Sequence, residues 1–245
     1  MLVENPNFDA IGCWVFDCDG VILDSNQVKS DAMRAAAEPY GETVAEALVA
    51  HHIEHGGVSR FRKFGFLFES ILGRSPEFGE MDSVAERFAR ASRQGLLRCA
   101  EAPGLGKLLS AIPTDIPRLI VSGGFQDELR DIFTERDLLR HFTAVYGSPD
   151  SKESILARER KSGQITDPAI FVGDSRYDYE AATNAGMGFV FLHALTEFSD
   201  WPDYFSEKPV TICRDLSELA DRLKDEPVRR GDAASGYTGK GAEKS

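Results

Sequence analysis

The sequence lacks the features that mark secreted, zinc-binding or membrane proteins. Its only four cysteines (Cys13, Cys18, Cys99 and Cys213) show neither a paired metal-ligand spacing nor a disulfide framework. Cysteine used so sparingly is typical of a reducing compartment, and we expect a cytoplasmic protein. No basic segment precedes an apolar run near the start, and no apolar run reaches membrane length. We therefore expect no membrane partner.

Positive charge is also scarce. The chain has 28 Lys and Arg against 40 Asp and Glu, which gives a formal net charge of -12. This acidity argues against nucleic acid or an anionic membrane as the partner, since both are bound through clustered cations. A small phosphorylated molecule remains compatible, because one positive or metal-loaded pocket is enough to bind it.

What the sequence does have is the composition of an ordinary globular protein. Its 245 residues are 42% hydrophobic and 28% charged. A chain of this length can bury a sizeable core, as one large domain or two modest ones. The oligomeric state is open between a monomer and a homodimer.

An apolar run over residues 11–16 is followed at once by two acidic residues and a glycine. The length and the aromatic and β-branched content of the run predict a buried parallel strand. Asp17 and Asp19 would repel each other there, and a metal cation would compensate. Gly20 allows a sharp turn. The alternative is a simple strand-terminal turn, in which Asp and Gly are common.

Residues 26–100 show only helical patterning. The clearest segment has apolar residues at three- and four-residue spacing, namely Phe61, Phe64, Phe68, Ile71 and Leu72. Together with three further amphipathic segments it predicts about four helices inserted after the first strand. We expect the phenylalanine stripe to be core rather than a ligand site.

From residue 101 onward, strands and helices alternate. Strand-like runs occur at 118–122, 142–146, 169–174, 189–192 and 211–213. This alternation predicts an α/β fold with a doubly wound, Rossmann-like parallel sheet. We expect residues 1–24 and 101–225 to form the catalytic core and residues 25–100 a helical cap. Residues 226–245, rich in Gly, Ser and charge, are expected to be disordered.

Polar residues stand at or shortly after the ends of four of these strands. They are Asp17 and Asp19, Ser122, Lys152 and Asp174. In a doubly wound sheet, such ends converge on one crevice. Carboxylates, a hydroxyl and a cation suit phosphoryl transfer, in which catalysis is mainly positioning and charge neutralisation.

Each of these residues also has a plainer interpretation. Ser122 could be a strand-end cap, because Ser is common in such turns. Lys152 could be a solvated lysine at the start of a helix, since lysines are usually exposed. Asp174 could be only the N-cap of the helix that follows.

Four motifs occur in a fixed order: Asp17 to Ser25, Ser122-Gly-Gly, Lys152 in Gly-Ser-Pro-Asp-Ser-Lys, and Gly173-Asp174-Ser-Arg-Tyr-Asp178. They span nearly the whole chain outside the tail. In this conjunction the chain resembles the haloacid dehalogenase-like hydrolase superfamily. Within it, the chain is similar to the helical-cap phosphatases, a subgroup that includes phosphoglycolate phosphatase and β-phosphoglucomutase.

The resemblance implies a mechanism for the first and fourth motifs. Asp17 would attack phosphorus and form an aspartyl-phosphate. Asp19 would protonate the leaving oxygen and later take a proton from water. Mg²⁺, the implied cofactor, would be held by the Asp17 carboxylate, the Asp19 backbone carbonyl and Asp174.

The resemblance also assigns the phosphate-binding groups. Ser122 and the backbone at Gly123 would hold phosphoryl oxygens, and Lys152 would neutralise charge in the transition state. Asp178 would support either the metal-bound waters or Lys152.

Substrate choice is expected to depend on the cap. By resemblance, the segment that contains Ser59, Arg60 and Lys63 would contact substrate, with Arg60 gripping a second anionic group. His51, His52 and His55 could line the same opening. The alternatives are an exposed arginine and ordinary packing of the histidines.

Three functions remain open. The leading prediction is Mg²⁺-dependent hydrolysis of a small phosphate monoester, such as a sugar phosphate or similar metabolite. The second is a sugar phosphomutase of the same superfamily. The third is a non-catalytic binding or regulatory protein on this fold. Halide release is disfavoured, because that chemistry has no use for Asp19 and Asp174 together.

Overall fold

The computed structural model describes residues 8–225, and the tail expected to be disordered lies outside them. Six parallel strands form one sheet in the order β3-β2-β1-β4-β5-β6. Their bounds are β1 Cys13–Phe16, β2 Arg118–Phe125, β3 Ala144–Ser148, β4 Ala169–Gly173, β5 Gly188–Leu192 and β6 Thr211–Cys213. From β1 the chain first adds strands on one side, β2 and β3, and then on the other side, β4 to β6. Doubly wound sheets open a ligand crevice at such a switch point.

The central strand β1 is buried on both faces, as its apolar sequence requires. Trp14 and Phe16 point to one face, and Cys13 and Val15 to the other. Two hydrophobic clusters therefore sandwich the sheet, and the polar residues that follow β1 emerge at its carboxyl edge.

Six helices cover the two faces of the sheet. They are α5 Leu105–Ala111, α6 Gln126–Glu135, α7 Lys152–Ser162, α8 Arg176–Asn184, α9 Trp201–Phe205 and α10 Leu216–Asp225. The first two and α10 pack on the face of Trp14, and the other three pack on the opposite face. The crossovers leave the loops after β1, β2, β4 and β5 at one edge.

Four helices precede this alternating part and pack around a cluster of their own. They are α1 Asn26–Ala37, α2 Glu42–Glu54, α3 Arg60–Phe66 and α4 Glu80–Leu96. Phe64 and Phe68 of the predicted stripe are buried within the cluster, whereas Phe61 is 40% exposed. A π-helical segment, Leu67–Ile71, continues α3.

The predicted fold class is confirmed, with differences in detail. Strand β2 runs past Ser122 to Phe125, because Phe125 pairs with Ser148 after an irregularity in the ladder. The prediction that the strand stops at residue 122 was therefore wrong. Strand β3 begins two residues later than predicted, since a 3₁₀ turn at Leu139–His141 precedes it.

No helix between residues 8 and 225 is both long and apolar enough to cross a membrane.

Candidate active site

A cavity of about 300 Å³ lies between the carboxyl edge of the sheet and the helical cap. Its core side is formed by Asp17, Asp19, Ser122 and Asp174, which follow strands β1, β2 and β4. The predicted strand-end residues are thus brought to one place, as the topology requires. Lys152 lies just behind this wall.

Asp17 and Lys152 form a buried ion pair. Asp17 is 3% exposed, and its backbone N–H donates to the carbonyl of Val172 on β4, which fixes it at the end of β1. The Nζ of Lys152, at the first residue of α7, lies 2.9 Å from Asp17 Oδ1 and also donates to Asp178. Lys152 is therefore not a solvated lysine.

Burial and charge act against each other in this group. Burial raises the pKa of Asp17, and Lys152 only partly reverses the effect. Burial also raises the pKa of Asp174, and the neighbouring Asp178 and Asp17 raise it further. Burial alone would lower the pKa of Lys152, but Asp17 and Asp178 outweigh it and raise that pKa.

Asp178 is anchored by a capping box at the start of α8. Its side chain accepts hydrogen bonds from the backbone N–H and the hydroxyl of Ser175, at 3.1 and 2.7 Å. The Ser175 hydroxyl in turn accepts from the Asp178 N–H. The N-cap of α8 is therefore Ser175, which leaves the Asp174 carboxylate free of that role.

Three carboxylates could hold a metal ion. Asp17, Asp174 and Asp178 each offer one oxygen, and these oxygens lie within 4.8 Å of one another. Gly20 makes room for them, because a Cβ there would lie 2.1 Å from Asp174 Oδ2, and its φ of 75° favours glycine. A set of hard oxygen donors is what Mg²⁺ prefers. The side chain of Asp19 is outside this group, and its predicted backbone ligation stays a prediction.

The carboxylate oxygens of this possible metal site have few hydrogen-bond donors. Asp17 Oδ1 is buried without a well-oriented hydrogen bond, although the Lys152 ammonium is near it. Asp174 Oδ2 accepts a 2.7 Å hydrogen bond from the side chain of Asn26. Buried carboxylate oxygens left short of donors are stabilised by a cation. The residues therefore fit a divalent metal.

Asp19 sits in different surroundings, closer to the cap. Its Oδ1 accepts a 2.6 Å hydrogen bond from the Ser25 hydroxyl, and its Oδ2 lies 3.5 Å from Lys29 Nζ. Ser25, the residue before α1, therefore also orients the carboxylate of Asp19, which faces the cavity.

The loop after Ser122 offers small, polar groups to the cavity. Ser122 is buried, and its hydroxyl accepts from the N–H of Gly124 at 3.1 Å. Gly123 lines the cavity, and a Cβ on it would lie 2.2 Å from the carbonyl oxygen of Gly57. Only glycine at 123 lets the cap loop approach the core this closely.

Arg60 lines the cavity but is already paired. Its guanidinium donates to Glu128 on α6 and lies 4.9 Å from the centre of the Phe88 ring. It is 6% exposed, so the interpretation as a plain exposed arginine is wrong. The pair joins the cap to the core.

Lys63 also lines the cavity, at 2% exposed. Its Nζ lies 2.7 Å from His52 Nδ1 and 3.3 Å from the carbonyl oxygen of His52. Burial lowers the pKa of Lys63 to about 7, and burial together with Lys63 lowers that of His52 to about 2. His55 lines the cavity as well, whereas Ser59, predicted to contact substrate, is not among its lining residues.

Sequence reasoning missed four residues around the cavity: Asn26, Lys29, Glu128 and Glu197. Asn26 and Lys29 occupy successive turns of the first helix after the Asp17 motif, so helical spacing could have suggested them. The other two come from separate elements, and no local pattern marks them.

Comparison with known proteins places these observations in a family. A family model described as haloacid dehalogenase-like hydrolase matches residues 14–192. The phosphorylated carbohydrates phosphatase of Thermotoga maritima is 25% identical over 193 residues, which are 75% of this chain and 86% of that protein.

Solved structures share the fold. A hydrolase from Pseudomonas syringae superposes with a TM-score of 0.67 at 21% identity and covers 88% of this chain and 99% of its own. The β-phosphoglucomutase of Clostridium difficile also gives a TM-score of 0.67, at 18% identity, over 85% of this chain and 93% of its own.

Proposed function

The chain belongs to the haloacid dehalogenase-like hydrolase family, and we propose that it hydrolyses a small phosphate monoester through an aspartyl-phosphate intermediate. The observation that carries the proposal is the Asp17 carboxylate at the end of β1, beside buried Lys152 and facing a cavity of about 300 Å³. The Thermotoga maritima relative, named as a phosphatase of phosphorylated carbohydrates, supports the substrate class.

Mg²⁺ would be held by Asp17 and Asp174, with Asp178 near enough to ligate it or to orient its waters. The ion would offset the repulsion between the carboxylates and the phosphate and polarise the phosphoryl oxygens. Asn26 and Gly20 would keep the carboxylate of Asp174 in place for this role.

The first half-reaction uses Asp17 and Asp19. A carboxylate oxygen of Asp17 attacks phosphorus, a new O–P bond forms, and the bond from phosphorus to the ester oxygen breaks. Asp19 gives its proton to the departing oxygen, so that an alcohol leaves. Ser25 and Lys29, which contact the two oxygens of Asp19, would orient its carboxyl group for this transfer.

The transferred phosphoryl group needs hydrogen-bond donors and a cation. Ser122 and the backbone N–H groups after it would bind its oxygens, and Lys152 would neutralise the charge that develops on them. Lys152 is suited to this because two carboxylates keep it protonated.

The second half-reaction regenerates the enzyme. Asp19, now a carboxylate, takes a proton from water as its oxygen attacks phosphorus, and the bond to Asp17 breaks. Inorganic phosphate is released. The cap loop near Gly57, in contact with Gly123, would limit the water in the cavity during the first step.

The test is release of inorganic phosphate from an aryl phosphate and from a panel of sugar and organic-acid phosphates. We expect turnover with Mg²⁺, loss of turnover with excess EDTA, and recovery when Mg²⁺ is restored. Asp17→Asn should remove turnover. Asp24→Asn is the matched control, because Asp24 lies in the same segment and is exposed.

The same panel separates the alternatives. An isomerised sugar phosphate without phosphate release would show a mutase. Absence of turnover for every ester, with wild type and Asp17→Asn alike, would point to a binding protein. Full activity in EDTA would contradict the metal-dependent mechanism.

The small phosphorylated metabolite is the one partner proposed here, and we place its hydrolysis in the cytoplasm. The sparing use of cysteine in the sequence supports this expectation.

A further inference from the structure

One acidic side chain that lines the cavity has no part in the proposed catalysis. Glu197 lies in the loop between β5 and α9, and it is half-buried. This loop belongs to the core, whereas the sequence predicts that substrate choice depends on the cap. A carboxylate at this place therefore calls for its own explanation.

The loop around Glu197 is fixed to the possible metal site and to the first cap helix. The residue before it, Thr196, donates its hydroxyl proton to the backbone carbonyl of Asp174. The carbonyl oxygen of Leu195 accepts a 2.8 Å hydrogen bond from the side chain of Asn26, at the start of α1. The backbone that presents Glu197 to the cavity is therefore held in place, as a recognition residue requires.

The two carboxylate oxygens of Glu197 differ in their partners. Oε1 accepts a 2.9 Å hydrogen bond from the hydroxyl of Ser30 on α1. Between residues 8 and 225, no donor is within hydrogen-bond distance of Oε2, and no cationic nitrogen lies within 4.0 Å of either oxygen. Burial raises the pKa of Glu197, and the Ser30 hydroxyl and the charge of Lys63 only partly reverse the effect. Oε2 is thus a partly desolvated acceptor that a donor would stabilise.

The charges around this acceptor are of both signs. Two carboxylates and two lysines line the cavity here, and Asp19, Lys29 and Glu197 all act on the charge of Lys63. A second anion on the substrate would meet the carboxylates, and an ammonium group would meet the lysines. A hydroxyl is repelled by neither, because it can donate to a carboxylate and accept from a lysine.

Resting on the proposed phosphatase function, we infer that Glu197 is a specificity-determining residue whose Oε2 accepts a hydrogen bond from a hydroxyl on the alcohol part of the phosphate ester. Ser30 keeps the carboxylate in position for this contact through its other oxygen. The esters that fit best are those of polyhydroxylated alcohols small enough for a cavity of about 300 Å³. The core thus shares the choice of substrate with the cap.

The experiment measures binding without turnover, by calorimetry on Asp17→Asn protein with Mg²⁺. Each hydroxylated ester is paired with an ester of similar shape that has no hydroxyl. Glycerol 3-phosphate is paired with n-propyl phosphate, and glucose 6-phosphate with cyclohexylmethyl phosphate. Glucosamine 6-phosphate, which has an ammonium group in place of one hydroxyl, tests the charge of the group that Glu197 receives.

In at least one pair, we expect the hydroxylated ester to bind at least about tenfold tighter, a difference of about 1.4 kcal/mol. A hydrogen bond to a charged group is strong enough for this. Adding Glu197→Met should reduce the preference to less than about twofold, and Glu197→Gln should keep part of it because an amide oxygen still accepts. No preference in either pair, or one that Glu197→Met leaves unchanged, would overturn the inference. Tighter binding of glucosamine 6-phosphate than of glucose 6-phosphate would also overturn it.

Further variants separate recognition from structure. Ser30→Ala should weaken the preference a few fold, because Glu197 loses the donor that orients it. Glu207→Gln and Glu207→Met are the matched controls, since Glu207 is an exposed glutamate outside the cavity lining, and they should change no affinity. If Glu197→Met does not fold, the isosteric Glu197→Gln decides, and a preference equal to that of the Asp17→Asn parent would count against the inference.

These outcomes are independent of the proposed catalysis. A hydroxyl preference that depends on Glu197, without hydrolysis of any ester, would contradict the phosphatase proposal and leave the Glu197 inference standing. With Asp17 intact, Glu197→Gln should lower kcat/KM for the hydroxylated esters and spare the esters without hydroxyls. Hydrolysis in which Glu197→Gln lowers kcat/KM equally for both members of each pair would support the phosphatase and refute the role of Glu197.

Discussion

Two lysines are buried on the core side and the cap side of one cavity, and their pKa values shift in opposite directions. Lys152 contacts Asp17 and Asp178, whose charges outweigh burial and raise its pKa. Among the residues that the structure describes, the Nζ of Lys63 has the neutral His52 as its hydrogen-bond partner and no carboxylate beside it, and burial lowers the pKa of Lys63 to about 7. Burial penalises the charge of both, so the neighbouring carboxylates decide the sign of the shift.

The difference bears on phosphate chemistry. A cation that neutralises a transition state, the role proposed for Lys152, must be charged in every turnover. Lys63 has no carboxylate of this kind beside it in the described part of the chain, and its hydrogen-bond partner is an imidazole. The charge of the lysine on the core side is therefore more firmly fixed than that of the lysine on the cap side.

The largest effect is expected from Lys152→Met. It leaves the buried carboxylates of Asp17 and Asp178 without their cation, and losing one partner of a buried pair costs about 3–5 kcal/mol. Urea unfolding in EDTA at pH 7 measures the free energy of unfolding. Phosphate release should be lost as well, because the charge on the phosphoryl group is no longer neutralised.

Lys63→Met is the matched comparison for that variant. It removes a buried charge that has no carboxylate partner among the described residues, at the expense of two hydrogen bonds to His52. We expect the free energy of unfolding to change by no more than about 1 kcal/mol. Equal destabilisation by the two substitutions would show that carboxylate pairing does not distinguish these lysines.

Asp19→Asn removes the proposed general acid and base, which lies in the cavity between the core and the cap. We expect kcat for phosphate release to fall by about 10²–10⁴-fold, because proton transfer to the leaving oxygen is lost. The fall in kcat should be smaller for an aryl phosphate with a good leaving group than for a sugar phosphate. Asp24→Asn serves as the control, and an unchanged kcat in Asp19→Asn would remove Asp19 from the mechanism.

The stability of the protein should depend on pH through Lys63. Its folded pKa is about 7, below the unfolded value of 10.5, so the unfolded state binds more protons between these values. Stability contributed by this group therefore rises as pH increases above about 7, by about 2 kcal/mol up to pH 9. Urea midpoints of wild type and Lys63→Met should diverge over that range, and parallel curves would mean that Lys63 has an ordinary pKa.

The smallest effect is expected from Glu128→Gln, which breaks the pair between Arg60 and the core. Because Glu128 is 35% exposed, the loss of stability should not exceed about 1 kcal/mol. Arg60 then loses its counter-anion, and the preference for esters that carry a second anion, which Arg60 is predicted to grip, should rise a few fold. Glu135→Gln tests a more exposed cap-to-core pair with Arg93 away from the cavity. A preference unaffected by Glu128→Gln would mean that Arg60 does not reach the substrate.

Most of the core architecture follows from local sequence. Apolar runs that end in Asp17, near Ser122 and in Asp174 predict buried parallel strands, and right-handed crossovers then bring those ends to one edge. The extension of β2 to Phe125 was missed, because two glycines look like a stop although the backbone continues to pair. The catalytic roles of these residues stay predictions.

The cap side was far less predictable. Lys63 was predicted, by resemblance, to contact substrate, and only packing shows that His52 of α2 is its partner. The pairing of Arg60 with Glu128 joins residues 68 positions apart, so no spacing rule could suggest it.

The order of strands and helices, and the gathering of acids where the strands end, were already determined by the amino-acid sequence, because hydrophobic periodicity and chain connectivity are local properties. Which buried cation has a carboxylate beside it, and which has only an imidazole, was decided by the tertiary structure. That choice depends on distances of a few ångströms between remote elements, and the electrostatic energy of a buried charge depends steeply on those distances.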